Sequence, residues 1–137
     1  MPDPTEIFLS HQSQDQEFAT RIGEVLKAHG LAYWYSKRDI PGAALWHDEI
    51  GEALARCDWF LLVLSPASVE SEWVKRELLD ALDQKRYIGH IIVLDYQPAE
   101  SRKLSWTLRS FQWIDFQHDF ADGCRELLRI WGRGYRG

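Results

Sequence analysis

The stretch WFLLVLSPASVESEWVKREL, residues 59–78, carries the clearest structural pattern of this 137-residue chain. Its first seven residues, 59–65, are almost wholly apolar, which is typical of a central parallel strand covered on both faces. Pro66 then ends the strand, and residues 71–86 are predicted to form a helix. Four apolar residues share one face of that helix: Val74, Leu78, Ala81 and Leu82. The segment therefore predicts a buried strand followed by an amphipathic helix.

The same alternation continues on both sides of this segment. Four further short apolar runs are predicted strands: residues 6–10, 31–36, 90–96 and 111–116. Helical patterns lie between them and after them: residues 13–29, 46–57 and 119–131, the first with Ser13 and Gln16 in capping-box spacing. This order predicts an α/β, flavodoxin-like fold, a five-stranded parallel sheet with helices on both faces. In such sheets the ligand crevice lies outside the carboxyl ends of the strands.

The composition favours one soluble domain. Hydrophobic residues make up 45% of the chain and charged residues 27%, which is ordinary for a globular protein. We expect a single domain over residues 1–137, with its core at about 6–130 and a short, solvated basic tail at 131–137. The net charge of −5 argues against nucleic-acid binding. No apolar run approaches the roughly 20 residues of a membrane span, and the start lacks a signal-peptide pattern, so we expect a cytoplasmic protein and no membrane partner.

The sequence lacks the residues that several functions common to this kind of sheet require. A phosphate-receiver domain needs an aspartate at the end of the third strand, where Ser65 stands. A flavin or dinucleotide site needs a glycine-rich loop after the first strand, and residues 10–15, SHQSQD, contain no glycine. The five histidines show no metal-ligand spacing, so no metal is expected. Cys57 falls on the apolar face of a helix, which favours core packing over catalysis, and Cys124 is likewise expected to be a free thiol.

Glu77 is the candidate active-site residue. It lies at the margin of the apolar face of its helix, with Trp73 one turn before it on the same side. The helix pattern alone favours a surface charge near a helix N-terminus. However, the helix follows the central strand, so its first turns lie beside that strand's carboxyl end. Glu77 and Trp73 can therefore face the same crevice as Ser10, His11 and the loop at 37–45.

Four segments in this order resemble a Toll/interleukin-1 receptor (TIR) domain, and most of all its bacterial and other enzymatic members. They are IFLSHQSQD (7–15), RDIPG (38–42), the segment 59–78, and WIDF (113–116). The resemblance implies a flavodoxin-like fold, and in the enzymatic branch it implies cleavage of NAD+ at the nicotinamide–ribose bond. The expected products are nicotinamide and either ADP-ribose or a cyclic ADP-ribose isomer. NAD+ is then the substrate, and no cofactor is expected.

The resemblance also assigns roles to individual residues. The catalytic glutamate of the family stands in a W-x-x-x-E element, which Trp73 to Glu77 match. The end of the first strand lines the family's pocket, and where many members have Ser-Tyr or Ser-Phe this chain has Ser10 and His11. An aromatic residue that begins the second helix often contacts the ligand. The substrate-binding residues expected on this basis are Ser10, His11, Ser36, Arg38, Asp39, Trp46 and Trp73. The family's mobile assembly loop, which also covers the site, corresponds to Asp39, Ile40, Pro41 and Gly42.

One carboxylate is chemically sufficient for this reaction. Ordinary glycosidases use two, because their alkoxide leaving group must be protonated. Nicotinamide leaves as a neutral molecule, so no general acid is needed. A single anion beside the ribose can bind its hydroxyls and stabilise the oxocarbenium-like transition state.

The expected partners are NAD+ and other TIR domains, with activity switched on by self-association into an oligomer or filament. The setting implied is bacterial immunity, including antiviral defence, or a virulence effector. Two alternatives stay open. The first is a non-enzymatic module that only scaffolds other TIR domains, for which no carboxylate at position 77 is required. The second is an enzyme resembling nucleoside deoxyribosyltransferases, which share the sheet and a catalytic glutamate.

Overall fold

The computed structural model describes residues 3–35 and 43–137, with only the backbone described at 43–47. Strands and α-helices alternate along this part of the chain: β1 Ile7–Ser10, α1 Gln16–Ala28, β2 Tyr33–Tyr35, α2 Ala43–Arg56, β3 Trp59–Leu64, α3 Pro66–Val69, α4 Glu72–Asp83, β4 Ile91–Asp95, β5 Gln112–Asp115 and α5 Phe120–Arg129. Short 3-10 turns lie at Ser13–Asp15, Lys85–Tyr87, Ser101–Lys103 and Trp106–Ser110.

The strands form one sheet in the order β2-β1-β3-β4-β5, and every neighbouring pair is parallel. The predicted α/β, flavodoxin-like fold with five parallel strands is therefore confirmed. β3 is the central strand, with β1 on one side and β4 on the other. Because the sheet is parallel, the carboxyl ends of β1 and β3 lie at the same edge.

β3 contributes side chains to two separate hydrophobic cores, one on each face of the sheet. All six of its residues are buried, and successive side chains point to opposite faces. Leu61 and Val63 pack in a core with apolar residues of α1 and α5. Phe60, Leu62 and Leu64 pack in the other core with residues of α2 and α4. Full burial of such a side chain contributes about 1.5–3 kcal/mol, so this strand anchors the helices on both faces.

Serines define the two helices that follow β3. The Ser65 hydroxyl accepts a hydrogen bond of 3.0 Å from the Ser68 N–H, and the Ser68 hydroxyl accepts one of 2.9 Å from the Ser65 N–H, which starts α3 with a capping box. The Ser71 hydroxyl accepts a 3.2 Å hydrogen bond from the Val74 N–H and starts α4. These two caps fix the direction in which α4 leaves the carboxyl end of β3.

The predicted capping box at Ser13 and Gln16 is wrong. Ser13 lies in a 3-10 turn, and the Gln12 side chain caps this turn by accepting a 2.6 Å hydrogen bond from the Gln14 N–H. α1 begins only at Gln16. The reason is tertiary: Asp15 turns inward and is buried, so the chain leaves β1 through a tight turn rather than a standard helix start.

At the opposite end of the chain, Trp131 packs in the core that contains α1 and α5. The Arg133 guanidinium pairs with the Asp3 carboxylate at 2.9 Å, which ties the two ends of the described chain together. Across residues 3–35 and 43–137, no helix has the length and apolar character needed to cross a membrane.

Candidate functional site

Glu77 joins α4 to the end of β1. It is only 1% exposed, and its Oε1 accepts a 2.7 Å hydrogen bond from the Ser10 hydroxyl, which is also 1% exposed. A buried carboxylate is costly to desolvate, and a hydrogen bond to such a charged group contributes about 1.5–3 kcal/mol. Glu77 therefore lies inside the protein, not at the surface margin that the helix pattern alone favours.

A cavity of about 450 Å³ opens between α2 and α4, next to Glu77. Its lining residues are Ile50, Gly51, Leu54, Ala55, Trp73, Arg76, Glu77, Asp80 and Gln84. This volume lies within the range of about 300–1,000 Å³ that is usual for small-molecule sites. The wall from α2 is mostly apolar, whereas the wall from α4 carries an aromatic ring and all the charges. The cavity can therefore take a ligand with a flat apolar part and a polar part.

Two aromatic side chains, Trp73 and His11, belong to the surroundings of Glu77. Trp73 is partly buried and lines the cavity one turn before Glu77 on α4. His11, directly after Ser10, is buried, and its ring centroid lies 5.4 Å from that of Tyr35 at the end of β2. The histidine thus packs at the carboxyl edge of the sheet beside the strand end that holds Glu77.

A second buried carboxylate lies at the same edge of the sheet. Asp15 is 7% exposed, and its Oδ2 accepts a 2.5 Å hydrogen bond from the Ser65 hydroxyl at the end of β3. Burial raises the pKa of Asp15 above its ordinary value, and the hydrogen bond from Ser65 opposes this rise. Asp15 therefore fixes the 11–15 turn to β3, just as Glu77 fixes α4 to β1.

The structure brings together only part of the predicted site. Ser10, His11 and Glu77 are buried at the carboxyl edge of the sheet, and Trp73 shares the cavity with Glu77. The remaining predicted residues lie outside the described residues: Ser36, Arg38, Asp39, Ile40, Pro41 and Gly42. Trp46 falls in the first turns of α2, where its side chain is not described. Their assigned roles stay predictions.

Sequence reasoning missed the pairing of Asp15 with Ser65 and the contribution of Arg76 and Asp80 to the cavity wall. The helix pattern does not indicate Arg76, because adjacent residues on a helix point in different directions. For Asp80, three residues after Glu77, helical spacing was the available signal. No local signal indicates that Asp15 and Ser65 meet, because 50 positions separate them in the chain.

Two other kinds of chemistry find little support in the described part of the chain. Cys57 and Cys124 are buried free thiols, and burial raises the pKa of each to about 12, so neither is an activated nucleophile. Within residues 3–35 and 43–137, no three side chains of the metal-ligating types His, Cys, Asp and Glu lie close enough to hold a metal ion.

A separate depression of about 320 Å³ beside β5 is lined by residues that include Trp113 and Arg129, and no buried carboxylate is among them.

The geometry suits the stabilisation of a developing positive charge. Glu77 places a carboxyl group, held at one oxygen by Ser10, on the wall of a cavity that also offers an indole ring. A preorganised anion in a site that excludes water interacts more strongly with charge than the same group in solution. A cationic, ring-containing substrate that gains charge on one carbon during reaction fits these features.

The chain has recognisable relatives in sequence. A family model described as "TIR domain" matches residues 7–128. The 2' cyclic ADP-D-ribose synthase BtTIR of Bacteroides thetaiotaomicron is 26% identical over 98 residues, which are 69% of this chain and 34% of that protein. The NAD(+) hydrolase TcpA of Theionarchaea archaeon (strain DG-70-1) is 31% identical over 90 residues, which are 65% of this chain and 27% of that protein. The matches thus span about a third or less of either relative.

Solved structures share the fold at low sequence identity. The TIR domain of the Toll-related receptor TRR-2 from Hydra magnipapillata superposes with a TM-score of 0.72 at 18% identity, over 90% of this chain and 95% of that one. A metazoan TIR-STING receptor from C. gigas gives a TM-score of 0.70 at 24% identity, over 93% of this chain and 39% of that one. At these identities the likeness establishes the fold alone.

Proposed function

The chain belongs to the TIR domain family, and from that premise we propose that it is an NAD+ nucleosidase in which Glu77 is the catalytic residue. The predicted resemblance to this family is confirmed by the family match over residues 7–128. Relatives named as an NAD+ hydrolase and as a cyclic ADP-ribose synthase support the choice of substrate. Because the chain spans about a third or less of those proteins, their activities support this proposal without deciding it.

The observation that carries the proposal is the position of Glu77. Its carboxylate is buried beside a cavity of about 450 Å³, and the Ser10 hydroxyl holds it at 2.7 Å. In the proposed reaction the bond between the ribose carbon and the nicotinamide nitrogen breaks, and its electron pair leaves with neutral nicotinamide. The ribose carbon becomes cationic, and the Glu77 carboxylate stabilises this charge. Water then adds to give ADP-ribose and a proton, or a group of the same ADP-ribose adds to give a cyclic isomer.

Aromatic residues complete the proposed substrate site. Trp73, on the cavity wall, offers a flat surface for a ring of the substrate. Ser10 keeps the carboxylate in place, and His11 is proposed to line the pocket. Trp46, Ser36, Arg38 and Asp39 are proposed as further substrate contacts by resemblance alone.

We further propose that residues 1–137 form one TIR domain, with its core at about 6–130, that works in the cytoplasm. Self-association through the loop that contains Asp39, Ile40, Pro41 and Gly42 is proposed to switch on the activity. A solved neighbour contains the TIR domains of the activated Roq1 resistosome, superposing with a TM-score of 0.66 at 14% identity over 91% of this chain and 98% of that one, which is consistent with assembly in the family. The proposed setting is bacterial immunity, including antiviral defence, or a virulence effector.

A scaffold module without enzymatic activity is the second candidate function. The observation that favours it is the burial of Glu77, which is 1% exposed and bonded to Ser10 as a structural carboxylate would be. Incubation of concentrated protein with NAD+, with and without a crowding agent, separates the two. The enzyme produces nicotinamide with ADP-ribose or a cyclic isomer, identified by chromatography and mass spectrometry. Assemblies verified by light scattering that leave NAD+ intact indicate the scaffold.

A further inference from the structure

Arg76 and Glu77 are neighbours on α4 and line the same cavity. The guanidinium carbon of Arg76 lies 5.5 Å from the centroid of the Trp73 ring, within the range of a cation–π contact. Trp73, one turn before Arg76 on the helix, thus lies within cation–π range of the guanidinium, and both residues line the cavity. Lys75, one position earlier on the helix, is exposed and is not among the lining residues.

Arg76 is the one cation among the described residues that line this cavity, and the other two charged groups there, Glu77 and Asp80, are acidic. The protein as a whole carries a net charge of −5. A substrate that bears phosphate is repelled by such a surface unless a cation lies where the phosphate binds. Arg76 supplies such a cation in the cavity that Glu77 also lines.

Arg76 makes no ion pair with any carboxylate in residues 3–35 and 43–137, whereas other arginines of the chain do: Arg56 pairs with Glu6, Arg125 with Asp122, and Arg133 with Asp3. Asp80, one turn after Arg76, accepts a hydrogen bond from the Gln84 side chain instead. Arg76, which is exposed, thus lines the cavity without an ion pair to an acidic group of the described residues.

The covalent structure of a dinucleotide connects these observations. Its reacting ribose is joined to the diphosphate through a single methylene group. If the ribose carbon lies at the Glu77 carboxylate, the phosphates must lie within a few ångströms of it, and Arg76 is the cation that lines the same cavity as Glu77. A guanidinium presents a planar fork of donors that matches two phosphate oxygens.

We propose that Arg76 binds the diphosphate of the substrate in the cavity between α2 and α4, and so selects dinucleotides over nucleosides. This inference rests on the proposed function, since it takes Glu77 as the group that faces the reacting ribose. It adds a specificity-determining residue to the site and orients the substrate along α4, with the ribose at Glu77 and the diphosphate at Arg76.

The test compares the wild type with Arg76→Gln, Arg76→Lys and the control Lys75→Gln. The dissociation constant for ADP-ribose is measured by calorimetry, and KM and kcat for NAD+ by chromatography. Arg76→Gln should weaken ADP-ribose binding by about tenfold or more and raise KM more than it lowers kcat. Arg76→Lys should recover part of the affinity, because it keeps the charge but loses the planar fork. Lys75→Gln removes the same charge from the adjacent position and should stay within about twofold of the wild type.

Each outcome decides a different claim. Wild-type ADP-ribose affinity in folded Arg76→Gln overturns the role of Arg76, and so does an equal loss in Lys75→Gln, which indicates general electrostatics. If ADP-ribose binds in an Arg76-dependent manner while NAD+ stays intact, the proposed enzymatic function fails and the diphosphate site stands. If NAD+ is cleaved with an unchanged KM in Arg76→Gln, the diphosphate site fails alone. A wild type that neither binds ADP-ribose nor cleaves NAD+ contradicts both.

Discussion

The Ser10 hydroxyl, on the last residue of β1, donates a 2.7 Å hydrogen bond to Oε1 of Glu77, which lies 67 positions later on α4. Both side chains are buried, so this contact fixes the helix to the end of the strand and sets the orientation of the carboxylate. The proposed chemistry depends on this relationship, because a carboxylate stabilises a developing charge only when it is already in place.

Replacing Ser10 by alanine should therefore affect both stability and turnover. The Glu77 carboxylate would lose its donor, which should lower the free energy of unfolding by about 1–3 kcal/mol, as measured by urea denaturation. NAD+ turnover should fall about tenfold or more, since each 1.4 kcal/mol of lost transition-state stabilisation corresponds to a factor of ten. Ser13→Ala, at an exposed position in the following 3-10 turn, is the matched control. Equal stability and turnover in the two variants would contradict this role of Ser10.

The buried Asp15 should make stability depend on pH in an identifiable direction. Burial raises its pKa above the ordinary value of 3.8, so the folded protein holds this proton more tightly than the unfolded chain does. Ionisation of Asp15 therefore lowers the free energy of unfolding as the pH rises from 3.8 through the raised pKa. Asp15→Asn removes this loss and should gain stability relative to the wild type as the pH rises from 3.8 through the raised pKa.

Urea denaturation of both proteins across this pH range checks the prediction. Asp83→Asn, at the exposed end of α4, is the control. A difference between Asp15→Asn and the wild type that stays constant with pH, or that falls as the pH rises, would show that Asp15 has no raised pKa in the folded protein.

The cysteines should be unreactive in the folded protein. Burial raises the pKa of Cys57 and of Cys124 to about 12, and both thiols are fully enclosed. A thiol reagent such as dithionitrobenzoate at about pH 8 should therefore react only when the chain unfolds, with both thiols appearing in denaturant. Thiol modification in the native state, accompanied by a loss of NAD+ turnover, would instead implicate a cysteine in the site.

The fold was predictable because the apolar patterns are local and strong. The run at 59–65 is apolar on both strand faces, which fits only a strand covered on both sides, and β3 is wholly buried as expected. The burial of Glu77 was not predictable from α4, since helical spacing puts this residue at the margin of the apolar face. The burial of Glu77 depends on its contact with Ser10, which lies on β1.

The predicted capping box at Ser13 and Gln16 is wrong for a related reason. Its capping-box spacing is a local signal, but Asp15 reaches Ser65 at the end of β3, and this distant contact determines how the chain leaves β1. Arg76 was overlooked because a helix pattern reads an arginine as solvated surface. Only the cavity between α2 and α4 shows that this cation faces the same space as Glu77.

The charge of Glu77, and not its shape alone, should be required. Glu77→Gln keeps the size of the side chain and an oxygen that can accept the Ser10 hydrogen bond. It should fold with a free energy of unfolding within about 2 kcal/mol of the wild type, yet lose most of its NAD+ turnover, because a neutral amide stabilises a cationic ribose poorly. Turnover near the wild-type rate in this variant would assign Glu77 a structural role.

The catalytic role of Glu77 is measured most directly by the NAD+ turnover of Glu77→Ala at a protein concentration at which the wild type is active. Circular dichroism and urea denaturation establish that the variant is folded, and Glu72→Ala, at an exposed position of the same helix, is the control. If Glu77 is the catalytic residue, Glu77→Ala should lose about two orders of magnitude or more of turnover, and Glu72→Ala should stay near the wild-type rate. A folded Glu77→Ala protein that cleaves NAD+ at a near-normal rate would contradict the catalytic role of Glu77.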